Sequence, residues 1–185
     1  MNVRWYQLNY FDSLKATMKW LGEKPNTIFI GQTVGCPGTF MYPTLADVSM
    51  EKRLEFPVNE SFQMQFSLGV ALTYTGMCVI SVYPRQNFLL LATGDMVNMV
   101  DKIKPISEGV LNPHLIIRVA TGPDTPVHPG HQHVNDYGFG LQSMFKNIVV
   151  LRVTKPEDAM IMYGFAYENP GQYLIIEEGN SYGQK

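Results

Sequence analysis

The sequence predicts an α/β three-layer sandwich, in which a mostly parallel six-stranded sheet carries helices on both faces. Short, nearly continuous apolar runs that end at glycine or proline are typical of buried parallel strands, and residues 27–31 are the clearest example. Helical periodicity follows almost every such run, and strict strand–helix alternation favours a parallel sheet. A chain of 185 residues with 45% hydrophobic residues is also long enough for one well-cored domain.

The elements can be assigned in chain order. A first helix is expected over residues 10–21, because Phe11, Leu14 and Met18 form one apolar stripe and Gly22 then ends it. The glycine- and proline-rich segment 31–50 is expected to be a loop with one helical turn. Strands are predicted at residues 27–31, 54–57, 77–83, 115–120, 147–153 and 172–177, and further helices at residues 59–74, 87–103, 137–145 and 155–168.

Composition excludes several classes of function. The net charge of -2 and the scattered Lys and Arg residues give no electrostatic footprint for nucleic acid. No apolar run reaches the roughly 18 residues that span a bilayer, and the first residues do not resemble a signal peptide, so a cytoplasmic location is expected. Eleven Met residues and 12% aromatics predict a large subunit interface. Cys36 and Cys78 are expected to be plain thiols.

Glu60 is the most informative single residue. It follows an apolar strand and opens the next helix, and ligands of parallel α/β sheets bind outside the carboxyl ends of the strands. Acids are also common at helix N-termini for capping and dipole reasons alone. The local pattern therefore leaves two interpretations open, a cofactor-facing carboxylate and an ordinary helix-start residue.

Three histidines, His128, His131 and His133, lie within six residues of a loop after the fourth predicted strand. Imidazoles could bind a metal there, which would make the protein a small metalloenzyme. They could also act as acids, bases or hydrogen-bond donors, or form a solvated loop. No further ligand follows, so the sequence predicts no metal site.

Two other motifs are weak. Cys36, between glycine and proline, could be a nucleophile, but no activating base is identifiable and a packed thiol is expected. Thr93-Gly94-Asp95 lies in an apolar helical stretch and is interpreted as a helix interior or kink. The sequence contains neither a P-loop nor a Gly-x-Ser-x-Gly elbow.

The order of several short motifs resembles the pyrimidine-binding domain of thiamine diphosphate enzymes. The similarity is greatest to the beta subunit of the decarboxylating component of 2-oxoacid dehydrogenase complexes, and next to transketolase. It covers residues 25–183, after an N-terminal helical segment at residues 1–24, and it implies one pyrimidine-binding domain over residues 25–185. The motifs that carry it are residues 31–34, 56–60, 68–76, 132–133, 147–159 and 177–183.

The resemblance implies a role for each candidate site residue. Glu60 matches the catalytic glutamate that binds N1′ of the cofactor's aminopyrimidine, and Val58 in the same turn is expected to contact the cofactor. Phe88 matches the aromatic residue that stacks on the pyrimidine. His133 matches the active-site histidine, and His131 is the substitute for that role.

The sequence departs from the family's motifs at two places, and it lacks two domains that enzymes of this family use. Gln32 replaces the usual acid after the first strand, and Val134-Asn135 replaces Ser-Gln after the histidine. The sequence shows neither the C-terminal domain of the beta subunits nor a diphosphate-binding domain. We therefore expect an alpha-type partner to hold the diphosphate and Mg²⁺, in a heterotetramer that acts on a 2-oxoacid or ketose. The alternative is a non-catalytic scaffold or regulatory subunit of the same fold.

Overall fold

Six parallel strands form one sheet in the computed structural model, which describes residues 8–125 and 128–183. The strand order is β2-β1-β3-β4-β6-β5, so the chain builds one half of the sheet and then the other, and every described pairing is parallel. The strands are β1 (Thr27–Gly31), β2 (Arg53–Glu55), β3 (Cys78–Tyr83), β4 (His114–Ala120), β5 (Val149–Val153) and β6 (Gln172–Glu177).

Two of the long helices begin at an asparagine that caps them. The Asn9 side chain accepts a hydrogen bond from the backbone N–H of Asp12 at 2.8 Å, and Asn59 does the same for Phe62 at 3.0 Å. The helices are α1 (Tyr10–Gly22), α2 (Glu60–Thr73), α3 (Gln86–Leu89), α4 (Thr93–Asp95), α5 (Ile103–Ile106), α6 (Gly138–Met144) and α7 (Pro156–Glu168).

The sheet separates two hydrophobic cores, which makes the molecule a three-layer sandwich. On one face α1 and α7 pack together, and residues such as Leu14 and Tyr163 cover that side of the sheet. On the other face Met64 of α2, Leu89 of α3 and Leu141 of α6 cover the opposite side. The predicted fold class is confirmed.

Most predicted elements lie within three residues of their observed bounds, but one prediction was wrong. The helix expected over residues 87–103 is broken into α3, α4 and α5, with a 3₁₀ turn at Leu90–Ala92 and a π turn at Met96–Val100. Gly94 has low helix propensity, and the Asn98 side chain donates to the Gly94 carbonyl at 3.0 Å. Thr93-Gly94-Asp95 is itself the α-helical turn between these two irregular turns, so it is a helix interior.

Two other sequence expectations concern the edges of these elements. The helical turn in the loop after β1 is a 3₁₀ turn at Tyr42–Leu45. His114, which borders the fourth predicted strand, is the buried first residue of β4, and its Nε2 atom lies 2.8 Å from the carbonyl oxygen of Ala166. Within the described residues, no helix is long and apolar enough to cross a membrane.

Candidate functional site

The carboxyl ends of β1 and β3 meet the start of α2 at one edge of the sheet. Gln32 directly follows β1, Glu60 is the first residue of α2, and Tyr83 ends β3. Gly31 lets the two strands approach closely, since a Cβ there would lie 2.3 Å from the carbonyl oxygen of Val82. This edge is where parallel sheets bind ligands.

Glu60 is buried although the three residues before it are exposed. Its exposed fraction is 5%, and its Oε1 atom accepts one hydrogen bond, from the Gln32 side-chain amide at 3.2 Å. The Tyr83 hydroxyl donates to the Glu60 backbone carbonyl at 3.2 Å. A carboxylate has about four acceptor positions, so this carboxylate retains most of its capacity to bind a further donor.

The loop after β1 is held in place by a second carboxylate, Glu55. Its two oxygens accept hydrogen bonds from the backbone N–H groups of Thr33, Val34 and Gly35 at 2.7–2.9 Å. Thr33 has a φ of 55°, which is an unfavourable region for a β-branched residue. The Glu55 contacts offset that cost and fix the loop that carries Gln32 beside Glu60.

Phe88 and His133 are brought together, as expected if both face one ligand. Their ring centroids are 5.6 Å apart, and both side chains are half-buried. His133 lies in a 3₁₀ turn, and its buried Nδ1 atom has no hydrogen-bond partner among the described residues. Gly122 makes this placement possible, because a Cβ there would lie 1.5 Å from the His133 carbonyl oxygen.

The other candidate residues are more exposed than Phe88 and His133. His131 is exposed, and its ring centroid is 5.3 Å from that of His128. Val58 is 81% exposed, so in this chain alone its side chain faces solvent. Within residues 8–125 and 128–183, no group of three or more His, Cys, Asp or Glu residues is arranged to hold a metal ion.

Cys36 lacks the environment of a nucleophile. Desolvation, together with the neighbouring Glu55 carboxylate, raises the pKa of its thiol, whereas an activated cysteine needs a lowered one. Both cysteines are free thiols, as predicted, and Cys78 is buried. The expectation that Cys36 is packed was wrong, because its side chain is exposed in the loop after β1.

Asp136 is a residue that the sequence reasoning missed. It accepts hydrogen bonds from Arg152 at 2.5 Å, from the Gln86 side chain at 3.2 Å and from the backbone N–H of Gly138 at 2.8 Å. Burial alone would raise the pKa of Asp136, but the Arg152 bond and these other donors hold it below its ordinary value. The contacts tie the histidine loop to the segment that carries Phe88. No local motif indicates the two side-chain partners, because Arg152 and Gln86 are 16 and 50 residues away from Asp136.

Glu177 is a second buried carboxylate at the same sheet edge. Its exposed fraction is 0%, and it accepts hydrogen bonds from Arg118 at 2.9 and 3.1 Å, from Tyr163 at 2.6 Å and from Tyr182. Burial alone would lower the pKa of Arg118, but Glu177 raises it above its ordinary value. Burial first, and Glu177 second, raise the pKa of both tyrosine hydroxyls, so they remain donors.

A cavity of about 750 Å³ opens beside Phe88. Its walls come from the loops that follow β1, β3, β4 and β6, with Phe11 of α1 added. Glu60 and His133 do not line it, whereas Phe88 does. The lining residues are Phe11, Gly38, Thr39, Phe40, Pro43, Pro84, Arg85, Phe88, Pro123, Thr125, Gly179, Tyr182 and Gly183.

Comparisons with known proteins give one informative result. No protein-family model matches the sequence, and no curated protein matches it. A solved structure described as a split gene transketolase, inactive beta4 tetramer, superposes with a TM-score of 0.69 at 13% sequence identity. The match covers 90% of this chain and spans half of the length of that one. At this identity the similarity concerns the fold alone, and the chain has a transketolase-like α/β fold.

Proposed function

We propose that this chain is the pyrimidine-binding, beta-type subunit of a split thiamine diphosphate enzyme. Its substrate would be a 2-oxoacid that is decarboxylated, or a ketose from which a ketol unit is transferred. The observation that carries the proposal is Glu60, a buried carboxylate with a single hydrogen-bond donor at the ligand-binding edge of a transketolase-like fold. Burying an acid with so few partners is costly, and such sites concentrate where function requires them.

The residues present fit the aminopyrimidine half of thiamine diphosphate. Glu60 offers free acceptor positions for a ring nitrogen that carries a proton, and Gln32 fixes the orientation of its carboxylate. Phe88 offers a half-buried aromatic ring on which a flat heterocycle can stack. His133, packed against Phe88, offers an imidazole that can exchange a proton with the substrate.

The division of labour follows from these positions. Bound thiamine diphosphate would supply the electron sink that stabilises the substrate carbanion. Glu60 would hold or release the proton at the ring nitrogen, and Gln32 would keep the carboxylate pointing at it. His131 is exposed and would serve only if the loop moved closer to the substrate.

An alpha-type partner would complete the site by holding the diphosphate and Mg²⁺. Exposed apolar side chains support this, since Val58 and Phe62 flank Glu60 in sequence and are exposed, and Phe139, just after the histidine loop, is 87% exposed. Exposed apolar groups around a half-built site are typical of a subunit interface. Val58 would then contact the cofactor only in the assembled complex, which we propose to be a heterotetramer.

The test is to co-purify the chain with its partner subunit and to compare wild type with Glu60→Gln. Glutamine keeps the size and the hydrogen bond to Gln32 but cannot share a proton. We expect thiamine diphosphate-dependent turnover to fall by about 10²- to 10⁴-fold, the usual contribution of a positioned acid or base.

Glu51→Gln is the matched control, because Glu51 is an exposed glutamate in a 3₁₀ turn before β2. Its turnover should equal that of wild type. If Glu60→Gln leaves the turnover of the complex unchanged, the catalytic proposal is wrong and the scaffold or regulatory role replaces it.

A further inference from the structure

The cavity beside Phe88 has one charged side chain among the described residues of its walls. Of these thirteen residues only Arg85 is charged, and none is a carboxylate. The ion pairs between described residues involve other groups, so Arg85 has no salt-bridge partner there. Arg85 is half-buried, and its guanidinium carbon lies 5.8 Å from the centroid of the Phe40 ring.

A half-buried arginine without a salt-bridge partner can still pair with an anion. Desolvation by burial lowers the pKa of Arg85, so the protein gives up part of the hydration of this cation without replacing it by a carboxylate. A guanidinium presents a planar fork of donors that matches carboxylate and phosphate groups in a bidentate manner. The group that best pairs with Arg85 is therefore the carboxylate or phosphate of a bound ligand.

The other lining residues indicate what the uncharged part of that ligand should be. Phe11, Phe40, Phe88 and Tyr182 contribute aromatic side chains, and the Phe40 and Tyr182 rings meet edge to face at 4.8 Å. The Tyr182 hydroxyl accepts a hydrogen bond from the buried Arg118 and donates one to the buried Glu177, and these bonds fix the position of the ring. A volume of about 750 Å³ lies within the usual range of small-molecule sites.

We infer that this cavity is a binding site for a small molecule that carries a carboxylate or phosphate on an apolar or planar body, with Arg85 as its anionic anchor. The inference goes beyond the proposed function and does not depend on it. Glu60 does not line the cavity, and only Phe88 belongs to both sites. A ligand anchored on Arg85 would thus lie next to the proposed cofactor position.

The test uses the full chain without a partner and three probes of nearly equal shape: benzoate, phenyl phosphate and the neutral benzamide. Binding is measured by titration followed by NMR chemical shifts or calorimetry. We expect the two anions to bind at least about tenfold more tightly than benzamide, because charge-assisted hydrogen bonds are roughly twice as strong as neutral ones.

Two variants of Arg85 test whether its charge anchors the anions, and a lysine variant is their control. Arg85→Met should lower the affinity for both anions by about tenfold or more and leave benzamide binding nearly unchanged. Lys102→Met removes an equally charged, exposed residue outside the cavity and should change neither affinity. Arg85→Gln serves as a second variant that keeps a polar side chain and should also lose the preference for anions.

Three results would overturn the inference: no anion binds, benzamide binds as tightly as benzoate, or Arg85→Met and Arg85→Gln retain the affinity of wild type. None of them bears on Glu60, since neither thiamine diphosphate nor the partner is present. Conversely, failure of the Glu60→Gln test leaves the anion site standing. The two proposals are thus tested separately.

Discussion

Glu60 and Glu177 are both buried carboxylates at the carboxyl edge of the same sheet, yet their surroundings are opposite. Glu177 is surrounded by donors from Arg118, Tyr163 and Tyr182, and its exposed fraction is 0%. Glu60 is nearly as buried, at 5%, but among the residues that the structure describes only the Gln32 amide donates to its side chain. A carboxylate whose acceptor positions are filled from within the chain serves the fold, whereas one left open is available to a ligand.

The two carboxylates differ in which elements surround them. Glu177 ends β6, and its partners come from β4, α7 and the turn after β6, so they belong to the folded core. Glu60 stands at the start of α2 beside the exposed turn 57–59, where something else can approach. Asp101 provides an intermediate case, because the donors around its buried carboxylate are mainly backbone N–H groups.

The largest effect on stability is expected from Arg118→Met, which leaves the Glu177 carboxylate buried in the core without its cation. Removing one partner of a buried ion pair costs about 3–5 kcal/mol, and we expect the free energy of unfolding to fall by that amount in urea titrations. Arg152→Met is the control, because the Arg152–Asp136 pair is partly exposed and should cost less than about 1 kcal/mol. A loss below about 1 kcal/mol for Arg118→Met would mean that Glu177 is not the structural carboxylate described here.

A smaller effect, with a defined pH dependence, is expected from Asp101→Asn. Burial alone would raise the pKa of Asp101, but hydrogen bonds from Asn147, Ile148 and Lys146 hold it below its ordinary value. The unfolded-state pKa is about 3.9, so the stabilisation is fully present above about pH 4 and is lost as the pH falls through the lower folded-state pKa. Asp101→Asn should therefore cost about 1–3 kcal/mol at pH 7 and progressively less below pH 4.

Urea unfolding at pH 7 and pH 3 checks this, with Asp124→Asn as a control at an exposed side chain. An equal cost for Asp101→Asn at both pH values would contradict the assignment. It would show that the carboxylate charge of Asp101 contributes nothing to stability.

The fold could be predicted from the sequence because its signals are local. The apolar run of β1 and the Asn59 cap of α2 each lie within a few neighbouring residues, and strand–helix alternation then leaves few topologies. The broken segment after β3 escaped prediction, because apolar residues continue through it at helical spacing. The interruptions are a 3₁₀ turn before Gly94 and a π turn after it, which the apolar spacing does not reveal.

The candidate site was predictable only in part. Position at a strand end pointed to Glu60, and the ordered motifs added Phe88 and His133. The sequence did not indicate that Gln32 would contact Glu60, that Arg118 would meet Glu177 or that Gly122 would be needed under the histidine loop. These relations join residues 11 to 59 positions apart, and only the folded chain brings them together.

The most direct test of the contrast is the affinity of the co-purified complex for thiamine diphosphate in the presence of Mg²⁺, measured by calorimetry for wild type, Glu60→Gln and Glu177→Gln. We predict that Glu60→Gln weakens cofactor binding at least about tenfold and changes the free energy of unfolding by less than about 1.5 kcal/mol. Glu177→Gln should instead lose about 3–5 kcal/mol of stability, with wild-type affinity in whatever complex remains folded. The account would be contradicted if Glu60→Gln destabilised the chain as much as Glu177→Gln and left thiamine diphosphate affinity unchanged.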